Sequence, residues 1–396
     1  MKYILLQNLL FLLMLTACRK AQIVQTSIKG PESPWSDTSK LHPKNALFTA
    51  LLDKYKRKGL PGISLLVSDQ RGTWMGAAGK ADISNNIDFA PGTVSKAASI
   101  TKLFMGALVF KLMEDSVRTG IGYTALNTKI TKWLPPRITD KLPNGKQITL
   151  GQCMNHETGI PDVIEEDAFY LAVLNNPNKK WTQEELLAFI YNKPALFAPS
   201  DTAIYSNTNT ILVTMVMEAQ IGKKHAELLR QYILQPLQLS NTYYQPHDPL
   251  PNAVAQGYFD LYNNGTIVNV SNLVTGSGNG YGGIYSNLFD LLKLENALFV
   301  QKTFLKTSSL AIMQTYGKKD DSNFYGYGLQ KSYIQPDGEY AIGHKGRDLG
   351  YSANLFYFPR KGVTHIFFVN YGTDAKSELK EVFNDFVKEL VTLSLQ

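Results

Sequence analysis

Apolar side chains recur at helical spacing close to both ends of the chain. Between residues 47 and 55 they return every three or four positions, and Pro61-Gly62 then ends the pattern. A longer stripe of the same spacing runs from residue 379 to residue 390. Such spacing places the apolar side chains on one face of a helix. The pattern therefore predicts a helix before residue 61 and another at the end of the chain.

Short runs rich in β-branched and aromatic residues lie next to both predicted helices. One run covers residues 63–67 and is followed by a turn at residues 70–72. Further runs cover residues 342–345, 353–358 and 364–370. Runs of this length between turn residues are typical of strands. We therefore predict strands from both ends of the chain.

The long middle of the chain lacks such runs and is rich in helical patterns. We place an inserted helical region at about residues 115–275. Strands from both ends of the chain, separated by this region, favour one antiparallel sheet flanked by the N- and C-terminal helices. The predicted fold class is therefore α+β.

Composition and charge narrow the classes of function. Apolar residues make up 44% and charged residues 18% of the 396 residues, which is the balance of a folded protein. The formal net charge is +7, but the lysines are scattered and no basic run alternates with aromatic residues. Nucleic-acid binding is therefore not expected.

The first residues indicate a targeting signal. Lys2 precedes a mostly apolar stretch over residues 4–15, which is too short for a comfortable membrane span. The stretch closes with Leu-Thr-Ala before Cys18, a pattern that resembles a bacterial lipobox. By this resemblance residues 1–17 are a lipoprotein signal peptide and Cys18 is a lipid anchor, and Arg19 favours the outer membrane, facing the periplasm. A plain secretory signal with an incidental cysteine is the alternative.

Proline, glycine and small polar residues follow the predicted anchor. Residues 18–43 have this composition, which is typical of a linker. We therefore predict that the folded domain covers residues 44–396.

A serine and a lysine three positions apart open the most apolar helical segment. Ser99 and Lys102 lie just before residues 103–110, which carry no polar side chain. A helix that is apolar on every face is buried. Burial disfavours the charged form of Lys102 and lowers its pKa, so the lysine can accept a proton from the serine. Ser99 is therefore a candidate nucleophile, with Lys102 as its base.

The same Ser-x-x-Lys pattern occurs a second time. Ser377 and Lys380 lie in the predicted C-terminal helix, where Leu379 faces the core and the other residues can face water. That arrangement is typical of an ordinary amphipathic surface. The environment, and not the pattern, therefore favours Ser99.

Three short elements in fixed order resemble the serine β-lactamase and penicillin-binding protein family. The elements are Ser99-Ile100-Thr101-Lys102, Tyr205-Ser206-Asn207 and His344-Lys345-Gly346. Further segments that resemble the family are residues 60–62, 156–161, 236–239 and 282–286. The resemblance covers roughly residues 45–390 and points to the branch that contains class C β-lactamases, DD-peptidases and esterases.

The resemblance implies roles for the residues of the second and third elements. Tyr205 would relay protons to the leaving group, and Asn207 would hydrogen-bond the substrate and the lysine. The third element lies on a predicted strand, where His344 would contact the substrate and Gly346 would let the substrate backbone approach.

The residue after the third element has two predicted roles. The backbone amides of Ser99 and Arg347 would form the oxyanion hole. The Arg347 side chain would either clamp a substrate carboxylate or crowd the mouth of the pocket.

The expected function is that of a cell-envelope serine hydrolase without metal or organic cofactor. It would form an acyl-enzyme at Ser99 and act on an amide or ester, preferably a D-amino-acid peptide derived from peptidoglycan. His344 stands where true class C β-lactamases usually have Lys-Thr-Gly, which makes a role in antibiotic resistance doubtful. A small-ester esterase, a β-lactamase and a non-catalytic envelope binding protein remain as alternatives.

Overall fold

A large antiparallel sheet built from both ends of the chain lies at the centre of the fold. The computed structural model describes residues 23–317, 323–373 and 377–396. Within these residues the eight strands of the sheet run in the order β3-β2-β1-β13-β12-β11-β10-β9. They are β1 Gly62–Asp69, β2 Gly72–Asp82, β3 Ile87–Asp88, β9 Phe324–Tyr325, β10 Gln330–Ser332, β11 Ala341–Asp348, β12 Tyr351–Phe358 and β13 Val363–Val369.

Two smaller sheets are also present in the described part of the chain. One has the strand order β4-β8-β5 and the other pairs β6 with β7. Their strands are β4 Ser95–Lys96, β5 Tyr243–Tyr244, β6 Tyr258–Phe259, β7 Val268–Asn269 and β8 Ile284–Ser286.

Helices cover the large sheet on both faces. The outer face packs against the first and last helices, α1 and α12, through an apolar cluster that contains Phe48, Phe367 and Phe386. The inner face packs against the helices that lie between β3 and β9. The helices are α1 Asn45–Arg57, α2 Thr101–Glu114, α3 Ser116–Thr119, α4 Pro136–Thr139, α5 Leu150–Met154, α6 Asp167–Asn175, α7 Gln183–Leu187, α8 Asn207–Ile221, α9 His225–Leu229, α10 Leu288–Glu295, α11 Thr307–Met313 and α12 Glu378–Leu395.

The α+β prediction is confirmed, with strands from both ends and helices flanking the sheet. The helical region is longer than the predicted residues 115–275. It begins at α2 and continues to α11, since α2 is the central buried helix of this layer and every residue from 101 to 110 is buried. Complete burial removes the amphipathic pattern that would have marked α2 as part of the layer.

The predicted linker over residues 18–43 differs from the structure where that segment is described. Val24 is 1% exposed, Thr26 pairs with Ala253 in an isolated bridge, and Trp35 packs edge-on against an aromatic ring of α10. Val24 is buried and Ile23 and Trp35 are partly buried, whereas Ile28 and Leu41 are exposed. Parts of the predicted linker therefore contact the domain, and the boundary at residue 44 stays a prediction.

The predicted signal peptide, residues 1–17, and the predicted lipid anchor Cys18 lie outside the described residues. In the part of the chain that is described, no helix is both long enough and apolar enough to cross a membrane.

Candidate active site

Ser99 lies at a strained turn that leads directly into α2. It is the middle residue of a short 3-10 helix, Ala98–Ile100. Ala98 has φ +48°, a left-handed conformation that costs a non-glycine residue about 1–3 kcal/mol. Thr101 Oγ1 donates to the Ala98 carbonyl at 2.7 Å and accepts from Ile284 N at 3.1 Å. These bonds hold the turn, and such strain is typical of functional sites.

A cleft of about 990 Å³ opens in front of Ser99. Its wall is rich in aromatic side chains and also contains carboxylates of the helical region. The residues that line it include Ser99, Asp162, Glu165, Phe169, Tyr170, Tyr205, Asn207, Tyr281, Tyr325, Lys345, Arg347 and Asp348. A concave site with an apolar wall and a few polar groups is suited to a small-molecule or peptide substrate.

The contacts of Lys102 leave it in position to take a proton from Ser99. Its Nζ lies 3.1 Å from Ser99 Oγ, 2.6 Å from Asn207 Oδ1 and 2.8 Å from the Tyr281 carbonyl oxygen. A neutral amine has two N–H donors and one lone pair, and the amide and carbonyl oxygens can only accept. With both N–H groups used there, the lone pair is left for the Ser99 hydroxyl. This geometry fits the predicted serine nucleophile with a lysine base.

Burial lowers the pKa of Lys102 to about 7, while the negative charges of Asp162 and Asp348 act in the opposite direction. The side chain is 2% exposed, so water contributes little to stabilising the ammonium ion. A base of this pKa has a large neutral fraction near neutral pH.

Asn207 is oriented by a buried carboxylate. It is the first residue of α8, and its Nδ2 donates to Asp162 Oδ2 at 2.8 Å. Because the amide nitrogen faces Asp162, the amide oxygen must face Lys102. Burial raises the pKa of Asp162 to about 6, while hydrogen bonds from Asn207 and Ile164 and the charge of Lys102 lower it.

Tyr205 stands beside Lys102 with its phenol protonated. Its ring lies 4.8 Å below Lys102 Nζ and packs against the ring of His156 at 4.6 Å. Burial raises the pKa of the phenol above its ordinary value, and the nearby Ser99 hydroxyl offsets this only in part. The buried hydroxyl has no well-formed hydrogen bond to any described group. It is therefore available to pass a proton within the cleft.

His344 packs behind Tyr205, whereas the resemblance implied that it would contact substrate. It is 1% exposed, its ring lies 6.1 Å from that of Tyr205, and its Nδ1 lies 2.6 Å from the Lys345 carbonyl oxygen. Burial, with the charge of Lys102, holds the pKa of His344 well below its usual range, so the ring is neutral. Its position supports Tyr205 from behind, and the lining of the cleft does not include it.

Gly346 is required by the packing of β11. A Cβ at this position would lie 2.1 Å from the Ala97 carbonyl oxygen and 3.3 Å from Ala98 Cβ. The glycine therefore lets β11 approach the strained turn that carries Ser99. This close approach brings the next residue of the strand to the nucleophile.

The backbone amide of Arg347 faces the cleft. Lys345 N donates to Gln330 Oε1 at 3.2 Å, which shows that the amide of Lys345 points toward the β10 side of β11. Amides two residues apart on a strand point the same way. The pairing of β10 with β11 stops at Gly343, so the Arg347 amide points past the end of β10. The oxyanion hole formed by the amides of Ser99 and Arg347 stays a prediction.

The contacts of the Arg347 side chain differ from both roles predicted for it, which stay predictions. Its Nη1 donates to the carbonyls of Gly346 and Ala353 and to Asn354 Oδ1, at 2.6, 2.7 and 3.0 Å. The guanidinium carbon lies 4.7 Å from the centre of the Phe383 ring on α12. Side chains alternate between the two faces of a strand, and this one is on the outer face. Arg347 is one of the residues that line the cleft, but its guanidinium packs against α12.

Two groups in the surroundings of Lys102 were not predicted from the sequence. The Tyr281 carbonyl is a backbone group, which no side-chain pattern could reveal. Asp162 directly follows the segment 156–161 that resembles the family, and it orients Asn207. A buried ion pair between Lys96 and Asp348, 2.6 Å apart, was also not predicted.

The described ranges contain no group of three or more histidine, cysteine, aspartate or glutamate side chains that could bind a metal ion.

The fold and the geometry around Ser99 are those of the β-lactamase class of serine hydrolases. The model of the Beta-lactamase family matches residues 45–386. The chain therefore belongs to the Beta-lactamase family.

Individual relatives are distant. An unguisins hydrolase of Aspergillus violaceofuscus is 26% identical over 211 residues, which are 51% of this chain and 35% of that protein. The D-alanyl-D-alanine-carboxypeptidase/endopeptidase AmpH of Escherichia coli is 25% identical over 259 residues, 65% of this chain and 62% of that protein. The chain thus spans between a third and two thirds of the length of these curated relatives.

One solved structure is similar to this chain over most of the length of both proteins. The D-stereospecific amidohydrolase from Streptomyces is 27% identical with a TM-score of 0.71, and the match covers 83% of this chain and 94% of that chain. This likeness supports the same arrangement of sheet and helices.

Proposed function

We propose that this protein hydrolyses an amide bond next to a D-amino acid, through an acyl-enzyme at Ser99. The observation that carries the proposal is the placement of Lys102 Nζ, 3.1 Å from Ser99 Oγ with acceptors on its other two contacts. The D-amino-acid part of the proposal is supported by the relatives, which include a D-alanyl-D-alanine-carboxypeptidase and a D-stereospecific amidohydrolase.

The proposed reaction has two steps that share one set of groups. Neutral Lys102 takes the Ser99 proton while Oγ bonds to the substrate carbonyl carbon, and the amides of Ser99 and Arg347 stabilise the resulting oxyanion. The tetrahedral intermediate expels the amine, which receives a proton through Tyr205. Water then attacks the ester carbonyl, and release of the acid restores the Ser99 hydroxyl.

The position of the Arg347 side chain bears on the substrate class. A strict carboxypeptidase needs a group that binds the terminal carboxylate of its substrate, and the guanidinium lies on the other face of β11. The aromatic wall, with Phe169 and Tyr281, favours an apolar side chain in the substrate. We therefore propose an amino-acid amide or peptide substrate, without a requirement for a free carboxylate.

The first test is the intact mass of the full chain after incubation with substrates of different classes. The probes are a D-phenylalanine anilide, a D-alanyl-D-alanine peptide, a fluorescent penicillin and a small nitrophenyl ester. We expect an adduct on wild-type protein that is absent from Ser99→Ala, with turnover of the D-amino-acid amide. Turnover of the ester or the penicillin alone would replace the proposal by an esterase or a β-lactamase. Absence of any adduct would favour a non-catalytic binding protein.

We also propose a location in the bacterial envelope, with lipid on Cys18 at the outer membrane. The pattern before Cys18 supports this part of the proposal. We expect wild-type protein to incorporate labelled palmitate and to fractionate with outer membranes. Labelling that persists in Cys18→Ala, or its absence from wild-type protein, would contradict the proposal.

A further inference from the structure

A glycine-rich segment, residues 276–283, passes behind Lys102. It supplies the Tyr281 carbonyl that accepts a hydrogen bond from Lys102 Nζ at 2.8 Å. One residue earlier, Gly280 has φ +103°, and a Cβ there would lie 2.5 Å from Thr214 Cγ2 on α8. The position of the carbonyl therefore depends on what holds Gly280 in this conformation.

The backbone of Gly280 is held by a buried tyrosine. Its N–H donates to the Tyr244 hydroxyl at 2.8 Å. Tyr244 is 1% exposed and stacks on the ring of His247 at 4.9 Å, and His247 Nε2 lies 2.9 Å from the Gly278 carbonyl oxygen. Tyr244 thus contacts the segment 276–283 directly and, through His247, at a second point.

A histidine and a carboxylate continue the chain of hydrogen bonds. His225 Nε2 lies 3.0 Å from the Tyr244 hydroxyl, and His225 Nδ1 lies 2.6 Å from Glu218 Oε1. Burial alone would raise the pKa of Glu218, but hydrogen bonds from the side chain and the backbone amide of His225, and from Lys224, lower it. The Glu218 carboxylate therefore accepts a hydrogen bond from His225.

With a neutral His225, one arrangement of protons satisfies the three hydrogen bonds that join Glu218, His225, Tyr244 and Gly280; His225 Nε2 also lies 3.3 Å from the Gly278 carbonyl oxygen. His225 Nδ1–H donates to Glu218, the Tyr244 hydroxyl donates to His225 Nε2, and Gly280 N–H donates to the Tyr244 oxygen. We assign the histidine tautomer from this network. The direction of all three bonds is then fixed by the charge of Glu218.

Helix α8 supports both acceptors of Lys102. Its first residue, Asn207, contacts Lys102 directly, and Glu218 lies eleven positions later on the same helix. At a rise of about 1.5 Å per residue, the two residues are about 16 Å apart along the axis. Asn207 therefore acts at the near end of the helix, and Glu218 acts from the far end.

We propose that Glu218, His225 and Tyr244 are positioning residues that hold the Tyr281 carbonyl against Lys102. The proposal rests on the proposed function, in which the lone pair of Lys102 must point at Ser99. If the carbonyl shifts, one N–H of Lys102 loses its acceptor and the amine can rotate away from the serine. The chain of bonds thus acts on the base and not on the substrate.

The test compares the acylation of Ser99 in wild-type full chain and in Tyr244→Phe, with the D-amino-acid anilide or whichever probe acylates the wild type. The variant keeps the ring and removes only the hydroxyl. We expect the acylation rate at saturating probe to fall roughly 10- to 100-fold, as for other small displacements of a reacting group. The KM should not change, because the substrate does not contact Tyr244. An unchanged rate, or a loss that lies entirely in KM, would overturn the proposal.

A matched control and a second variant separate positioning from loss of stability. Tyr55→Phe removes one hydrogen bond, to Glu389 at 2.7 Å, from a buried tyrosine on the outer face of the sheet. It should acylate at the wild-type rate even if its Tm falls. Glu218→Gln keeps an acceptor for His225 but removes the charge, so its loss should be smaller than that of Tyr244→Phe.

The double variant Glu218→Gln/Tyr244→Phe provides the sharpest readout. Residues in one hydrogen-bonded chain have non-additive effects, so the double variant should lose little more than Tyr244→Phe alone. Additive losses would contradict a single chain. If Tyr244→Phe does not fold, an undiminished rate in Glu218→Gln is sufficient to reject the proposal. A wild type that never acylates refutes the proposed function, whereas an active wild type with indifferent variants refutes only the positioning.

Discussion

The chain contains the same Ser-x-x-Lys spacing in two regions with opposite surroundings. At the start of α2, Lys102 is 2% exposed and its Nζ has Ser99 Oγ and two acceptors within 3.1 Å. At the start of α12, Ser377 and Lys380 are both partly exposed, and the Ser377 hydroxyl lies 2.7 Å from that of Tyr371. The spacing brings a serine and a lysine onto neighbouring positions of a helix in both places. It does not make either pair reactive.

The difference lies in what the rest of the fold supplies. Around Lys102, α8 provides Asn207, the segment 276–283 provides a carbonyl, and β11 approaches through Gly346. These parts are separated by many residues along the chain, so a local pattern cannot encode them. Burial and oriented acceptors together distinguish the nucleophile from the surface copy.

The largest expected effect comes from removing the base in each region. Lys102→Gln should slow acylation of Ser99 by roughly 10²- to 10⁴-fold, the usual contribution of a general base. Lys380→Gln, the matched change in α12, should acylate at the wild-type rate. Single-turnover kinetics with the probe that labels Ser99 will measure both. Equal rates in the two variants would remove the distinction between the regions.

A smaller effect should follow from Asp162→Asn, which keeps the shape of the side chain. The new amide can present a donor to Asn207, so Asn207 can turn its own amide nitrogen toward Lys102. We expect the acylation rate to fall roughly 10- to 100-fold. Glu165→Gln, at the same side of the cleft, serves as the control for a change of charge alone.

The pH dependence of the acylation rate should also shift in Asp162→Asn, in a direction that the charges around Lys102 determine. Lys102 must be neutral to act, so the wild-type rate should rise with pH through about 7 and then level off. The charge of Asp162 favours the ammonium form and raises the pKa of Lys102. Removing that charge should move the rising limb to lower pH. A shift to higher pH would contradict the assignment of this limb to Lys102.

Much of the site was predictable because a buried segment has a recognisable apolar pattern in the sequence. The run without polar side chains after Lys102 predicted a buried helix, and the structure has every one of those residues buried. The strands of the sheet were predictable for a similar reason, since short apolar runs near both ends of the chain are separated by turn residues. Each of these predictions needed only the sequence of a single segment.

The remaining features depend on contacts between distant segments. Gly346 was expected to admit substrate, yet its neighbour is the Ala97 carbonyl. The side of β11 on which Arg347 lies depends on the register with β12, which the sequence does not specify. The linker over residues 18–43 had the composition of an extended chain, but Val24 and Trp35 find apolar partners only after folding.

A buried glutamate outside the cleft tests whether a buried titratable group affects stability without affecting acylation. Glu295 on α10 is fully buried, and burial raises its pKa to about 8, with a hydrogen bond from Thr364 at 2.7 Å lowering it in part. The pKa of Glu295 is higher in the folded protein than in the unfolded chain. The contribution of the protonated carboxyl to stability is therefore complete below about pH 4.5 and is lost as pH rises through about 8.

Glu295→Gln should remove this pH dependence. Compared with wild type, the variant should gain at least about 1.4 kcal/mol of unfolding free energy between pH 5 and pH 9, the equivalent of one pKa unit. Thermal or denaturant unfolding at the two pH values will measure the gain. The acylation rate should not change, since Glu295 does not line the cleft. Loss of acylation in a stable variant would mean that buried charge outside the cleft also acts on Ser99.

The smallest effect is expected from the serine of the surface pair. Ser377→Ala removes the hydrogen bond to Tyr371 and should cost about 0.5–1.5 kcal/mol of stability, the net value of one such bond. Tyr371→Phe removes the other partner of the same bond, so the double variant should be little less stable than either single variant. Urea unfolding of the three variants will test this. Acylation of Ser99 should be unchanged in all three, because a serine three positions before a lysine contributes to catalysis only where the lysine is buried and its N–H groups have acceptors.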